Sequence, residues 1–98
     1  MKYEIEVSPA AESHLDDLPA YDRQIILEKI DKQLTHRPTT PTRNCKQLRP
    51  NPLATWALRV GKYRVLYNVI EDRVIVVIVA VAVKKGNKFI IGGQEHDL

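Results

Sequence analysis

Apolar and polar residues alternate along Lys2–Val7, with Tyr3, Ile5 and Val7 on one side and Lys2, Glu4 and Glu6 on the other. That period of two predicts a half-buried strand. Ser8-Pro9 then offers an N-cap hydroxyl and a proline suited to the first helical position. Ala11, Leu15 and Leu18 form the inward stripe of the helix that follows, and Pro19 ends it or opens the next. A second helix is predicted from about Asp22 to about His36, where Ile26, Ile30 and Leu34 recur every four residues with Leu27 beside them.

The prolines at Pro38, Pro41, Pro50 and Pro52 leave Arg37–Pro52 without helical or strand period, so it reads as loop. Three extended segments follow. Thr55–Val60 places Trp56, Leu58 and Val60 on one face, and Tyr63–Ile70 groups Tyr63, Val65, Tyr67 and Val69. Arg73–Val83 is almost wholly Val, Ile and Ala, the pattern of a central strand covered on both faces. Glu71-Asp72 reads as a turn before it, and the piece Phe89-Ile90-Ile91 after it reads as an edge strand or irregular. Residues 92–98, opened by Gly92-Gly93, are expected to fray. The order is β-α-α-β-β-β, a helical hairpin packed on a mainly antiparallel sheet, hence α+β.

At 98 residues, 44% hydrophobic and 28% charged, the chain is expected to be one globular domain spanning residues 1–98. No signal-like apolar stretch opens it, and the run Val74–Val83 is about half a membrane span, so a soluble cytoplasmic protein without membrane contact is expected. Cys45 is the one cysteine and has no histidine beside it in sequence. His14, His36 and His96 share no ligand spacing with it, so neither metal nor cofactor is expected. The net charge is only +3, but its distribution is uneven. Residues 37–70 contain no Asp or Glu and carry Arg37, Arg43, Lys46, Arg49, Arg59, Lys62 and Arg64, whereas the first 36 residues hold eight acids. Such a segment points to a polyanion or an acidic partner.

Gly61-Lys62 separates two of the strands as a two-residue hairpin turn with glycine first. That length fixes the register: Val60 faces Tyr63, Arg59 faces Arg64, Leu58 faces Val65 and Trp56 faces Tyr67. The apolar pairs then cover the helices, and both arginines share the other face. Like charges directly opposite one another are unfavourable by up to about 1 kcal/mol. A bound phosphate or carboxylate relieves that repulsion, and the guanidinium fork suits either. Lys84, Lys85 and Lys88 follow the central strand, which returns beside the start of Tyr63–Ile70. Arg59, Arg64, Lys84, Lys85 and Lys88 are therefore the candidate anion-binding set.

The run Leu58-Arg59-Val60-Gly61-Lys62-Tyr63-Arg64-Val65-Leu66-Tyr67, followed by Val74–Val83 and Lys84-Lys85-Gly86-Asn87-Lys88, resembles the RelE/ParE superfamily of type II toxins. The opening strand with Ser8-Pro9-Ala10-Ala11, the helix near Asp22–Leu34 and Gln47-Leu48-Arg49 fit the same pattern. The resemblance implies a toxin neutralised by a small antitoxin that wraps its surface and provides any contact with DNA. RelE-like members cleave messenger RNA on the ribosome, and ParE-like members act on DNA gyrase. For the former, attack of a ribose 2′-OH on the adjacent phosphate needs a proton acceptor, cations for the developing charge and an acid for the leaving oxygen. Arg64 falls on the family's phosphate-binding arginine and Lys84 near a second arginine, which makes these two the candidate catalytic residues. Thr55 and Ala57 stand where RelE carries lysines, and Ile90 or a neighbour stands in for a C-terminal tyrosine. The resemblance thus leaves open a messenger RNA endonuclease, a gyrase-directed toxin and a member that mainly binds its antitoxin.

Overall fold

A computed structural model of the protein describes residues 2–98. β1 (Glu4–Val7) leads into α1 (Pro9–Asp16) and α2 (Ala20–Lys29), and the strands β2 (Cys45–Gln47), β3 (Trp56–Val60) and β4 (Tyr63–Ile70) follow. β5 (Ile75–Lys85), β6 (Lys88–Ile91) and β7 (Gln94–His96) complete a seven-stranded sheet. Its order is β2-β3-β4-β5-β6-β7, with β1 added parallel to the first half of β5. The expected α+β architecture, two helices against a mainly antiparallel sheet, is what the chain forms.

Ser8 caps α1: its side-chain oxygen accepts the Ala11 N–H at 3.1 Å, and Pro9 occupies the first turn. α2 starts at Ala20, directly after Pro19, and passes into a π-helical turn over Ile30–Leu34. That turn accounts for the four-residue spacing of Ile26, Ile30 and Leu34. A regular helix advances past a full turn every four residues and carries such a stripe sideways; one wider turn brings it back. All three are buried, whereas Leu27 lies on the outer side, 43% exposed.

β5 changes its facing halfway along. Leu66 pairs with Ala80 and Tyr67 with Ile78, so Val79 is the extra residue of a β-bulge. Before the bulge Val76 and Ile78 face the helices; after it Val81 and Val83 do, while Ala80, Ala82 and Lys84 turn to the other side. The backbone groups near the bulge are taken up by the β1–α1 junction. The Ser8 hydroxyl donates to the Val79 carbonyl at 3.0 Å, and the Val81 N–H donates to His14 Nδ1 at 3.2 Å. Val74, just before β5, holds the left-handed conformation (φ +56°, ψ +46°) that β-branched residues rarely adopt, and its carbonyl accepts the Glu4 N–H.

The main core lies between helices and sheet, from Ala11, Leu15, Ile26, Ile30 and Leu34 to Leu58, Val65, Tyr67 and Ile78. A second, smaller cluster on the opposite face joins Ala54, Ala57, Leu66, Ala80, Ala82 and Phe89, with Leu48, Leu53, Ile91 and Leu98 against it. Inside the main core the Tyr67 hydroxyl donates to the Pro38 carbonyl at 2.6 Å, and Cys45 Sγ lies against the same hydroxyl. Burial pushes the Cys45 thiol pKa up, and the thiol has no exposed surface. It is a core residue.

Two expectations are corrected. Arg37–Pro52 is not all loop, because Cys45–Gln47 pairs antiparallel with β3. Three residues are too few to display a period, and the pairing is made by backbone groups. The tail does not fray: Gly92 and Gly93, both at positive φ, turn the chain so that β7 pairs with β6. Asp97 then meets Arg49 Nη2 at 3.0 Å and Lys88 Nζ at 3.7 Å, tying the segment after β7 to the segment after β2. These ion pairs are exposed and contribute little energy individually. They mark where the two ends of the curled sheet meet.

Ser8 both caps α1 and bonds the bulge. Ser8→Ala is expected to cost about 1–2 kcal/mol in urea unfolding. Ser13→Ala, on the exposed side of the same helix, is expected to change stability by less than about 0.5 kcal/mol.

Candidate anion-binding groove

The β3–β4 hairpin forms in the expected register: Val60 opposite Tyr63, Arg59 opposite Arg64, Leu58 opposite Val65, Trp56 opposite Tyr67. Gly61 (φ +57°) takes the first turn position, and Lys62 keeps negative φ, the combination of a type II′ turn. The hairpin is fastened to α2 by Tyr63, whose hydroxyl donates to the Asp22 carboxylate at 2.5 Å. Val60 and Tyr63 thus sit on the helical side, and strand alternation places Arg59 and Arg64 on the opposite face.

There the two arginines share a pocket of about 160 Å³ with Lys84, Arg43, Lys46 and Asn44, above a floor of Ala57 and Phe89. Arg64 Nη1 donates to the Gly61 and Tyr63 carbonyls, each at 2.9 Å, so backbone oxygens hold its guanidinium over the hairpin. Burial first, and then the charge of Arg59, lower the Arg64 pKa from its ordinary value. Both causes disfavour a bare cation and both are relieved by a bound anion. Lys84 lies with its Nζ 4.4 Å from the centre of the Phe89 ring. Among the described residues, ion pairs involve Arg49, Lys88 and Asp97, and none engages the five cations of this pocket.

The candidate set is only partly brought together. Arg59, Arg64 and Lys84 converge. Lys85 and Lys88 do not: they pair with each other across the β5–β6 turn, and alternation puts them on the face opposite Lys84 and Phe89. Lys88 turns instead to Asp97. Two cations of the pocket, Arg43 and Lys46, went unrecognised as site residues because their segment reads as loop. The acid-free composition of residues 37–70 was the signal that included them. Lys46 pairs with Ala57, and the Arg59 N–H donates to the Asn44 carbonyl, so β2 and the residue before it run beside Arg59. A lysine on β2 thus stands next to Ala57 on β3. His96, expected in a fraying tail, lies on β7 opposite Phe89 of β6 and is outside the pocket lining.

The helical hairpin on a mainly antiparallel sheet, with a cationic pocket on the face away from the helices, defines a small α+β domain built to meet an anion. The family model for the ParE toxin of type II toxin–antitoxin systems (parDE) matches residues 5–85. The chain belongs to that family, and is a toxin of the RelE/ParE superfamily. Among solved structures it is similar to the RelBE2 toxin–antitoxin complex of Mycobacterium tuberculosis. That likeness is 27% identity over 86% of this chain and 93% of that chain, with a TM-score of 0.74. The fold is shared with the archaeal RelE–RelB complex of Pyrococcus horikoshii OT3 (23% identity, 83% and 93% covered, TM-score 0.67). It is shared also with the isolated RelE toxin of E. coli (21%, 85% of each chain, TM-score 0.66). No match was found among curated proteins. No helix among the described residues is long and apolar enough to cross a membrane.

Accepting the Tyr63 proton raises the cost of ionising it. The Asp22 carboxylate, and then burial, push this phenol from its ordinary 10.0 to about 12. The stabilisation it brings is whole below pH 10 and is lost as the pH climbs to about 12. Chemical unfolding measured across that window is expected to show Tyr63→Phe with a shallower loss of stability than the wild type. Equal slopes would mean the hydrogen bond does not carry the alkaline sensitivity.

Proposed function

We propose that this type II toxin is RelE-like and acts on RNA, binding the phosphate next to the scissile bond between Arg59, Arg64 and Lys84. The observation that carries this reading is the cationic pocket, in which two arginines directly opposite one another face no carboxylate. Cleavage by 2′-OH attack develops negative charge on the phosphoryl oxygens, and preorganised cations in a partly enclosed site stabilise it. Arg64, already fixed by two backbone carbonyls, is the principal phosphate ligand; Lys84 is the second cation and the proton-transferring candidate. On this reading the target is messenger RNA on the ribosome, and a small antitoxin silences the toxin by covering the same groove with carboxylates. The RelBE2 and RelE–RelB structures are themselves toxin–antitoxin complexes, which supports such a partner. DNA is reached through the antitoxin.

A second reading is favoured by the ParE family match: a toxin directed at a protein target such as DNA gyrase, with the same cations serving as a docking surface. Induced expression without the antitoxin separates the two. Growth arrest with cleaved transcripts supports the RNA reading, and arrest with intact transcripts and DNA damage supports the other. Arg64→Ala is expected to abolish arrest while the domain stays folded by circular dichroism, since the side chain's bonds are to its own hairpin. A folded Arg64→Ala protein of undiminished toxicity refutes the assignment.

A further inference from the structure

Between β1 and β6, one edge of β5 has no strand beside it. β1 pairs with β5 as far as Val7 opposite Ile78, and β6 joins only at Ile90 opposite Val83, so residues 79–82 lie in the gap. The Lys84 N–H donates to the Lys62 carbonyl, and by alternation Ala82 and Ala80 also turn their backbone groups toward β4. Val79 and Val81 turn theirs into the gap, where α1 takes them up in place of a strand. The Ser8 hydroxyl donates to the Val79 carbonyl, and the Val81 N–H donates to His14 Nδ1 at 3.2 Å. Val81 is buried, so its N–H depends on that acceptor. Accepting at Nδ1 requires the neutral imidazole with its proton on Nε2. That second nitrogen lies toward the β6–β7 turn, where a Cβ at Gly92 would stand 3.6 Å from it.

The two bonds bracket Ala80, the residue at which β5 resumes its ladder with β4 after the extra Val79. Lys84 reaches the outer face only in the phase that starts there. With the Val81 N–H released, the extra residue is free to move along β5, and each residue it passes changes face. We propose that His14 is a positioning residue for Lys84. From the helical side of the sheet it holds Val81 in the phase that sets the Lys84 ammonium over Phe89 and in the cationic pocket. It never touches the bound group. This proposal rests on the phosphate-binding reading above. Arg59 and Arg64 take their places from the turn at Gly61 and are independent of the phase of β5, so the effect is confined to one of the three cations. Leucine at position 14 fills similar space but accepts no hydrogen bond. The side-chain carbonyl of asparagine reaches about as far as Nδ1 and does accept.

The test uses the full chain and a labelled RNA dinucleotide, 2′-deoxy at the reactive position to block cleavage, in a double-mutant cycle. In the wild type, Lys84→Ala is expected to weaken the dinucleotide about threefold to fivefold. His14→Leu is expected to weaken it about as much, and Lys84→Ala added to His14→Leu to weaken it no further. Arg64→Ala is expected to cost the same factor in both backgrounds, which a general loosening of the fold would not allow. His14→Asn is expected to restore both the affinity and its dependence on Lys84. If Lys84→Ala costs as much in the His14→Leu protein as in the wild type, the positioning role is wrong and the phosphate-binding reading stands. If neither Lys84→Ala nor Arg64→Ala weakens the dinucleotide, both fall. Should His14→Leu not fold, nitrogen NMR of the wild type decides. A His14 proton on Nε2 with an exchange-protected Val81 amide supports the proposal, and a proton on Nδ1 overturns it.

Discussion

The two-residue turn at Gly61 is the constraint from which the organisation of this protein follows. With only two residues to reverse the chain, β3 and β4 have one register open to them, and the strand period distributes every side chain of the hairpin between two faces. Trp56, Leu58, Val60, Tyr63, Val65 and Tyr67 go to the helices. Arg59 and Arg64 are forced together on the reverse side. A slip of one residue would bury both guanidinium groups and expose the aromatic residues. Stability and binding chemistry are thus tied to the same turn: the apolar face secures the pairing that the charged face opposes.

The bulge at Val79 extends this division to the central strand. Without the extra residue, β5 would present its second half with the opposite parity, sending Val81 and Val83 outward and Ala82 and Lys84 into the helical core. Ser8 and His14 make the bulge tolerable by bonding backbone groups around it, so the N-cap of α1 and the placement of Lys84 are linked through one structural device. The small residues that reach the outer face, Ala80 and Ala82, leave room there for Leu53, Leu98 and the floor of the cationic pocket. The hairpin β6–β7 follows on from this end of β5 and lies beyond the residues matched by the family model. It returns the chain to Arg49 at the far edge.

How much of the site was legible depended on distance along the chain. The Arg59–Arg64 pair is a local consequence of a short turn, so its geometry could be read from ten consecutive residues. The antiparallel return of β5, also a near neighbour in sequence, brings Lys84 alongside β4, but its sharing a face with Arg64 follows from the bulge. Lys85 and Lys88 were misplaced because a run of lysines carries no information about which face each one takes. That depends on the phase of β5, and the bulge sets the phase. Arg43 and Lys46 were missed for a different reason: the strand that carries Lys46, just after Arg43, is only three residues long, and its pairing with β3 is made by backbone groups that every sequence possesses.

The amino-acid sequence alone determined the order of elements, the helix start at Ser8-Pro9, the hairpin register and the acid-free segment, because each is written in periods or turn residues a few positions apart. Tertiary structure decided which cations share a face, that Cys45 is sealed beneath Tyr67 and Pro38, and that the last residues form a strand instead of fraying. Those outcomes depend on the bulge, on the edge pairing of β2 and on the meeting of Arg49 with Asp97. Each joins residues distant in the chain, and the energies involved exist only once the sheet has curled.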